Sequence, residues 1–126
     1  MTLSTSTRKI GGVSIVACEG KLVLGEESAT LRLLVKELLT KSPQIVIDLG
    51  EVSYIDSSGL GTLVALYTSA RNSGGEIRLA GLHPRAKELL QVTRLVTVFE
   101  VFDRAEDAAA SFSRGVARTG AAGRTI

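Results

Sequence analysis

A chain of 126 residues, 44% hydrophobic and 22% charged, is long enough to close one core and has ordinary globular composition. No apolar run approaches the length needed to cross a bilayer, so direct membrane insertion is not expected. The net charge of +2 misleads: Arg114, Arg118 and Arg124 fall within residues 113–126 without an acid, and the body that remains has 12 basic and 13 acidic residues, no footprint for nucleic acid. The first eight residues, Met1 to Arg8, lack an apolar stretch followed by a small-residue cleavage site, which points to the cytoplasm. Cys18 is the single cysteine and has no internal disulfide partner; its place in an alternating strand suits a small buried side chain.

In chain order, strand-like residues 5–10 and 13–19 flank Gly11-Gly12, a two-residue link that predicts an antiparallel hairpin. A helix is expected over residues 26–40, with Leu31, Leu34, Val35 and Leu38 on one face and Pro43 beyond its end. Residues 44–49 form a nearly unbroken apolar run of strand length, suited to a strand covered on both faces. A helix then opens near Asp56, marked by Leu60, Leu63, Val64 and Tyr67 at helical spacing. Asn72-Ser73-Gly74-Gly75 turns into a strand at 76–80, Pro84 opens a short helix to Val92, and residues 96–102 read as a last strand. Asp103 and Glu106 have capping-box spacing, predicting a final helix to about Phe112; residues 113–126 lack apolar period and read as a disordered tail behind a single domain at 1–112.

The strand-helix-strand units require right-handed crossovers, so the expected fold is α/β: one mixed sheet, an antiparallel N-terminal hairpin and parallel later strands, flanked by helices. Sites in such sheets gather beyond the carboxyl ends of the strands. That edge should hold both Asp56-Ser57-Ser58-Gly59 and the loop Gly81-Leu82-His83-Pro84.

At the start of a helix the first amides lack intrahelical partners and the dipole is positive, so a carboxylate, a hydroxyl or a phosphate is favoured there. Capping by Asp56 or a serine explains one polar residue of the cluster. It explains three in succession less well, and it does not account for Gly59 and Gly61, which would let another chain approach closely. A hydrolase reading would make Ser57 the nucleophile and His83, the one histidine, its base, but the Gly-x-Ser-x-Gly elbow of one large hydrolase class is absent. Gly59-Leu60-Gly61 likewise lacks the lysine and spacing of a phosphate-cradling loop. No catalytic residue, cofactor or metal site is therefore expected.

Asp56-Ser57-Ser58-Gly59-Leu60-Gly61, preceded by Val52-Ser53-Tyr54-Ile55, resembles the signature of STAS domains of the anti-sigma-factor antagonist type. Gly20-Lys21-Leu22, the Gly74-Gly75-Glu76 turn, His83-Pro84 and the segment from Phe99 to Ala110 extend the resemblance over about residues 8–112. The resemblance implies a non-enzymatic switch. Its unphosphorylated form would bind an anti-sigma factor that is also a serine kinase and so release a sigma factor. Phosphorylation of the first serine after the aspartate would end that binding, and a serine phosphatase would restore it. Here that serine is Ser57, with Ser58 as the alternative, and the implied partner-binding residues are Asp56, Ser57, Ser58, Gly59 and Leu60. Asp56 could cap the helix, contact the kinase or face a metal, with capping preferred. Where many members carry an acid after Gly-x-Leu, this chain has Val23, a departure that bears on partner choice. The alternative within the same family is a subunit docking constitutively onto a transporter ATPase or a stress-signalling scaffold.

Overall fold

The structure is a computed structural model, described here for residues 3–23, 26–94 and 99–114. Five strands form one sheet in the order β1 to β5: β1 (Leu3–Ile10), β2 (Val13–Leu22), β3 (Gln44–Ile55), β4 (Glu76–Ala80) and β5 (Val101–Phe102). The helices are α1 (Glu26–Leu39), α2 (Ser57–Asn72), α3 (Pro84–Val92) and α4 (Ala105–Arg114). β1 and β2 are antiparallel and each later pairing is parallel. The Gly11-Gly12 link has positive φ at both residues, 54° and 87°, the geometry whose twist matches a tight hairpin.

The apolar run in β3 is explained by a core on each face of the sheet. Ile45, Ile47 and Leu49 pack with Leu31 and Val35 of α1, Leu60, Leu63 and Leu66 of α2 and Leu90 of α3. Val46 faces the other way, with Val13, Ile15 and Ala80, beneath Ala105, Ala108, Ala109 and Phe112 of α4. Alternation carries successive side chains to opposite faces, and both faces are covered here.

On the α4 side, the buried Arg78 of β4 lies under the Phe112 ring, 4.1 Å from its centroid, and bonds Ser111 Oγ at 2.5 Å, Glu76 at 3.1 Å and Glu100 at 3.4 Å. These partners satisfy the guanidinium in the interior and tie α4 to the sheet.

Several boundaries differ from expectation: β1 begins two residues earlier, at Leu3, and β2 runs three residues further, to Leu22. β3 continues to Ile55 because β2 accompanies it to Leu22; the register shifts between Ala17 and Glu19 and between Gly20 and Lys21, where β3 carries the extra residue each time. β5 comprises only Val101 and Phe102, opposite Leu79 and Ala80; Phe99 precedes the strand and is buried edge-on to Tyr67, and residues 96–98 of the expected strand lie outside the described residues. α4 runs two residues past its expected end, to Arg114, while the rest of the expected tail, 115–126, lies outside the described residues. The Glu106 carboxylate, expected to reach back to Asp103, meets Arg8 at 3.5 Å and Arg104 at 3.6 Å. It is held below the usual carboxylate range first by its own backbone amide and then by these two cations.

Cys18, 2% exposed, has its thiol pushed up to about 12 by burial and secondarily by the charge of Asp48. The fold favours the neutral thiol, so the unfolded chain holds fewer protons once pH passes the ordinary value of 9.0. This contribution is complete below that value and declines as pH rises toward 12. Cys18 is expected to resist alkylation in the native protein, and urea midpoints should fall more steeply with alkaline pH in wild type than in Cys18→Ala.

Candidate functional site

The end of β3 and the start of α2 are joined by one residue, Asp56. Its extended backbone, φ −100° and ψ −176°, leaves the strand, and its Oδ1 accepts the Gly59 amide at 2.7 Å while its carbonyl accepts the Leu60 amide at 2.9 Å. Asp56 is therefore the N-cap, as preferred from the sequence. Its own amide donates to Leu22 O at 3.4 Å, tying the helix start to the end of β2. Asp56→Ala is expected to cost about 1 kcal/mol of stability by orphaning the Gly59 amide, as a lowered urea midpoint would show.

Gly59 and Leu60, both among the implied partner-binding residues, face into the fold, Leu60 as its place in the apolar stripe of α2 requires. Both are buried, Leu60 at 5% exposure, and a Cβ on Gly59 would collide with the backbone carbonyl of Leu22. Gly59 is bare so that α2 can close onto β2 within this chain. Gly61, by contrast, has nothing within 4 Å of where a Cβ would stand and leaves open backbone. The outward surface of the cluster is Ser57 and Ser58, both exposed, with Asp56 half-buried beside them.

Ser57 opens α2, and among the described residues neither the Ser57 nor the Ser58 hydroxyl is engaged in a hydrogen bond. The two serines are separated by their surroundings: Ser57, and not Ser58, lines an open groove of about 490 Å³. One wall is the end of β3, Val52 to Ile55, continued by Asp56, and the other is α3 and its N-cap, with His83, Arg85, Ala86, Glu88, Leu89 and Val92. The groove exists because β4 ends at Ala80, opposite Asp48, so β3 runs on with no strand beside it on that side. Gly81 turns the chain away at φ 76°, its Cα so close to Gly50 that a Cβ would come within 2.8 Å of the Gly50 amide.

His83 shares this edge, as expected, but its Nε2 lies 3.1 Å from Gly50 O, fastening the loop before α3 to β3. The contact between serine and imidazole that a hydrolase needs is not formed. Among the described residues, no three or more His, Cys, Asp or Glu side chains gather to hold a metal, and no helix is long and apolar enough to cross a membrane.

Sequence reasoning missed the groove's other surface features. Tyr54 and Val92, 49% and 76% exposed, are two of the three exposed large hydrophobics among the described residues, and both line it. The signal available was Val92 itself, an apolar residue off the inward face formed by Ala86, Leu89 and Leu90.

A mixed sheet with three helices on one face, one on the other and an exposed serine at the head of α2 defines a small interaction domain of the STAS type. The chain belongs to the STAS domain family, whose model matches residues 4–108. Among relatives, BtrV of Bordetella bronchiseptica, assigned as an anti-sigma factor antagonist, is 30% identical over 114 residues, covering 87% of this chain and 95% of the relative. A crystal structure of an anti-sigma factor antagonist from Mycobacterium paratuberculosis matches with a TM-score of 0.74 at 24% identity, over 87% of this chain and 93% of that one. The Bacillus cell fate determinant SpoIIAA, solved in its phosphorylated form, matches with a TM-score of 0.68 at 15% identity, over 86% and 99% of the two chains.

Proposed function

We propose that this protein is an anti-sigma-factor antagonist whose unmodified form binds an anti-sigma factor and thereby releases a sigma factor, and that phosphorylation of Ser57 switches it off. The observation that carries the reading is the state of Ser57: exposed at the head of α2, its hydroxyl unengaged, on a groove walled by the exposed Tyr54 and Val92. The relationship to proteins assigned as such antagonists supports the role, and SpoIIAA is a protein of this fold that takes a phosphate.

The anti-sigma factor would itself be the kinase. Ser57 Oγ would attack the γ-phosphorus of ATP, the bond to the β-γ bridging oxygen would break, ADP would leave and the hydroxyl proton would pass to a base of the kinase. A serine phosphatase would hydrolyse the ester and restore the binding form. In this scheme the antagonist is a substrate and ligand, and the chemistry belongs to its partners.

Incubation with ATP and the anti-sigma kinase recovered by pull-down should label wild type and Ser58→Ala but not Ser57→Ala. Label retained in Ser57→Ala and lost in Ser58→Ala would move the site to Ser58. Tight binding to a transporter ATPase or a stress-signalling scaffold, with no labelling at all, would select constitutive docking instead.

A further inference from the structure

We propose that Arg85 receives the phosphate of modified Ser57, so that the groove carries its own reader of the switch. The inference rests on Ser57 as the modified residue and concerns what the modified state does inside this chain.

Six residues of the groove bear on a dianion placed at Ser57: Tyr54, Asp56, Ser57, His83, Arg85 and Glu88. Asp56 is committed to the Gly59 amide and His83 to Gly50 O. Asp56 and Glu88 are carboxylates, and either would oppose a second negative group nearby. Arg85 is the groove's one permanent cation. It is exposed at the second position of α3, and among the described residues its guanidinium makes neither an ion pair nor a hydrogen bond.

The other cation of this helix, Lys87, is occupied with Asp103 at 3.3 Å and does not line the groove. A phosphoserine adds roughly −1.5 to −2 charge and three acceptor oxygens, and a guanidinium presents a planar fork that matches them. Arg85 is long, uncommitted and lines the same groove as Ser57. Pairing the two would bridge the groove, which the exposed Tyr54 and Val92 also line. Phosphorylation would then withdraw the contact surface as well as add charge to it.

The test uses the full chain with phosphoserine installed at position 57 during translation, so that no kinase is needed, and follows the phosphate by ³¹P NMR titration. The expected result is that the second ionisation of the phosphate occurs at lower pH in wild type than in Arg85→Gln, by roughly half a pH unit. Lys87→Gln, which removes the same charge from the same helix outside the groove, should leave the titration where wild type has it. Equal curves for wild type and Arg85→Gln, or equal displacements in Arg85→Gln and Lys87→Gln, would overturn the proposal. So would a phosphorylated chain that circular dichroism shows to be unfolded, since the phosphate would then have no place in the groove. The two readings fail separately: no kinase labelling of Ser57 would remove the proposed switch without touching the titration, and a flat titration would leave labelling of Ser57 intact.

Discussion

Phosphorylation of Ser57 is expected to lower affinity for the anti-sigma partner about 10³-fold while leaving the antagonist folded. The two halves of this expectation have separate physical causes. Within the chain, Ser57 is exposed and stands on the first turn of α2, where free amides and the positive end of the dipole accommodate an anion. At a packed contact, the same group would bury nearly two negative charges next to the carboxylate of Asp56, more than the single cation of Arg85 offsets, and uncompensated buried charge costs several kcal/mol; about 4 kcal/mol corresponds to 10³ in affinity. Ser57→Asp carries one charge rather than nearly two and should lose roughly 10- to 100-fold. Calorimetric titration of the partner, alongside thermal melts of the antagonist alone, measures both halves. Undiminished affinity of the phosphorylated form would end the switch mechanism, and a collapsed melting temperature would show that the loss came from unfolding.

Gly59→Ala should be the most damaging single-methyl change in this region, at about 3 kcal/mol. The added Cβ meets the Leu22 carbonyl, backbone on both sides, so no rotamer change relieves the clash. The first turn of α2 must lift away, straining the Asp56 amide bond to Leu22 O and opening the core at Leu60. Thermal melts should show a fall of roughly 10 °C or more. Gly61→Ala is the matched control: nothing lies within 4 Å of the new methyl, and alanine favours helix, so stability should rise by up to about 1 kcal/mol. If a partner packs on the bare backbone at Gly61, that variant will bind less tightly while melting higher. Similar melting temperatures for the two variants would mean that the α2–β2 contact is not the constraint described.

Much of the candidate site is legible in the amino-acid sequence because its causes are local. Asp56, three residues ahead of the amide it caps, carries a signal that neighbouring residues alone produce, and the period of Leu60, Leu63, Val64 and Tyr67 announces the helix behind it. Gly11-Gly12 specifies the hairpin for the same reason, since two consecutive positive φ angles suit few other residues. The length of β3 is not legible in this way. Gly50 and Glu51 interrupt the apolar run, and only pairing with β2, to which β3 bulges to keep step, holds them in the strand. The two-residue β5 is likewise decided by its neighbour, because only the end of β4 is available to pair with it.

By itself, the sequence determined the order of elements, the two-sided core of β3, the cap at Asp56 and the position of the serines, all properties of period and of the first turn of a helix. Tertiary structure alone decided which face those residues show. It turned Gly59 inward, left Ser57 and Ser58 outside, and brought residues 52–57 against residues 83–92 across a gap that β4 is too short to fill. The physical reason is that burial and groove shape depend on contacts between segments about thirty residues apart, and these leave no periodic mark in either segment. Arg85 and Val92 are ordinary helix residues until the fold sets them in one groove with the end of β3 and Ser57.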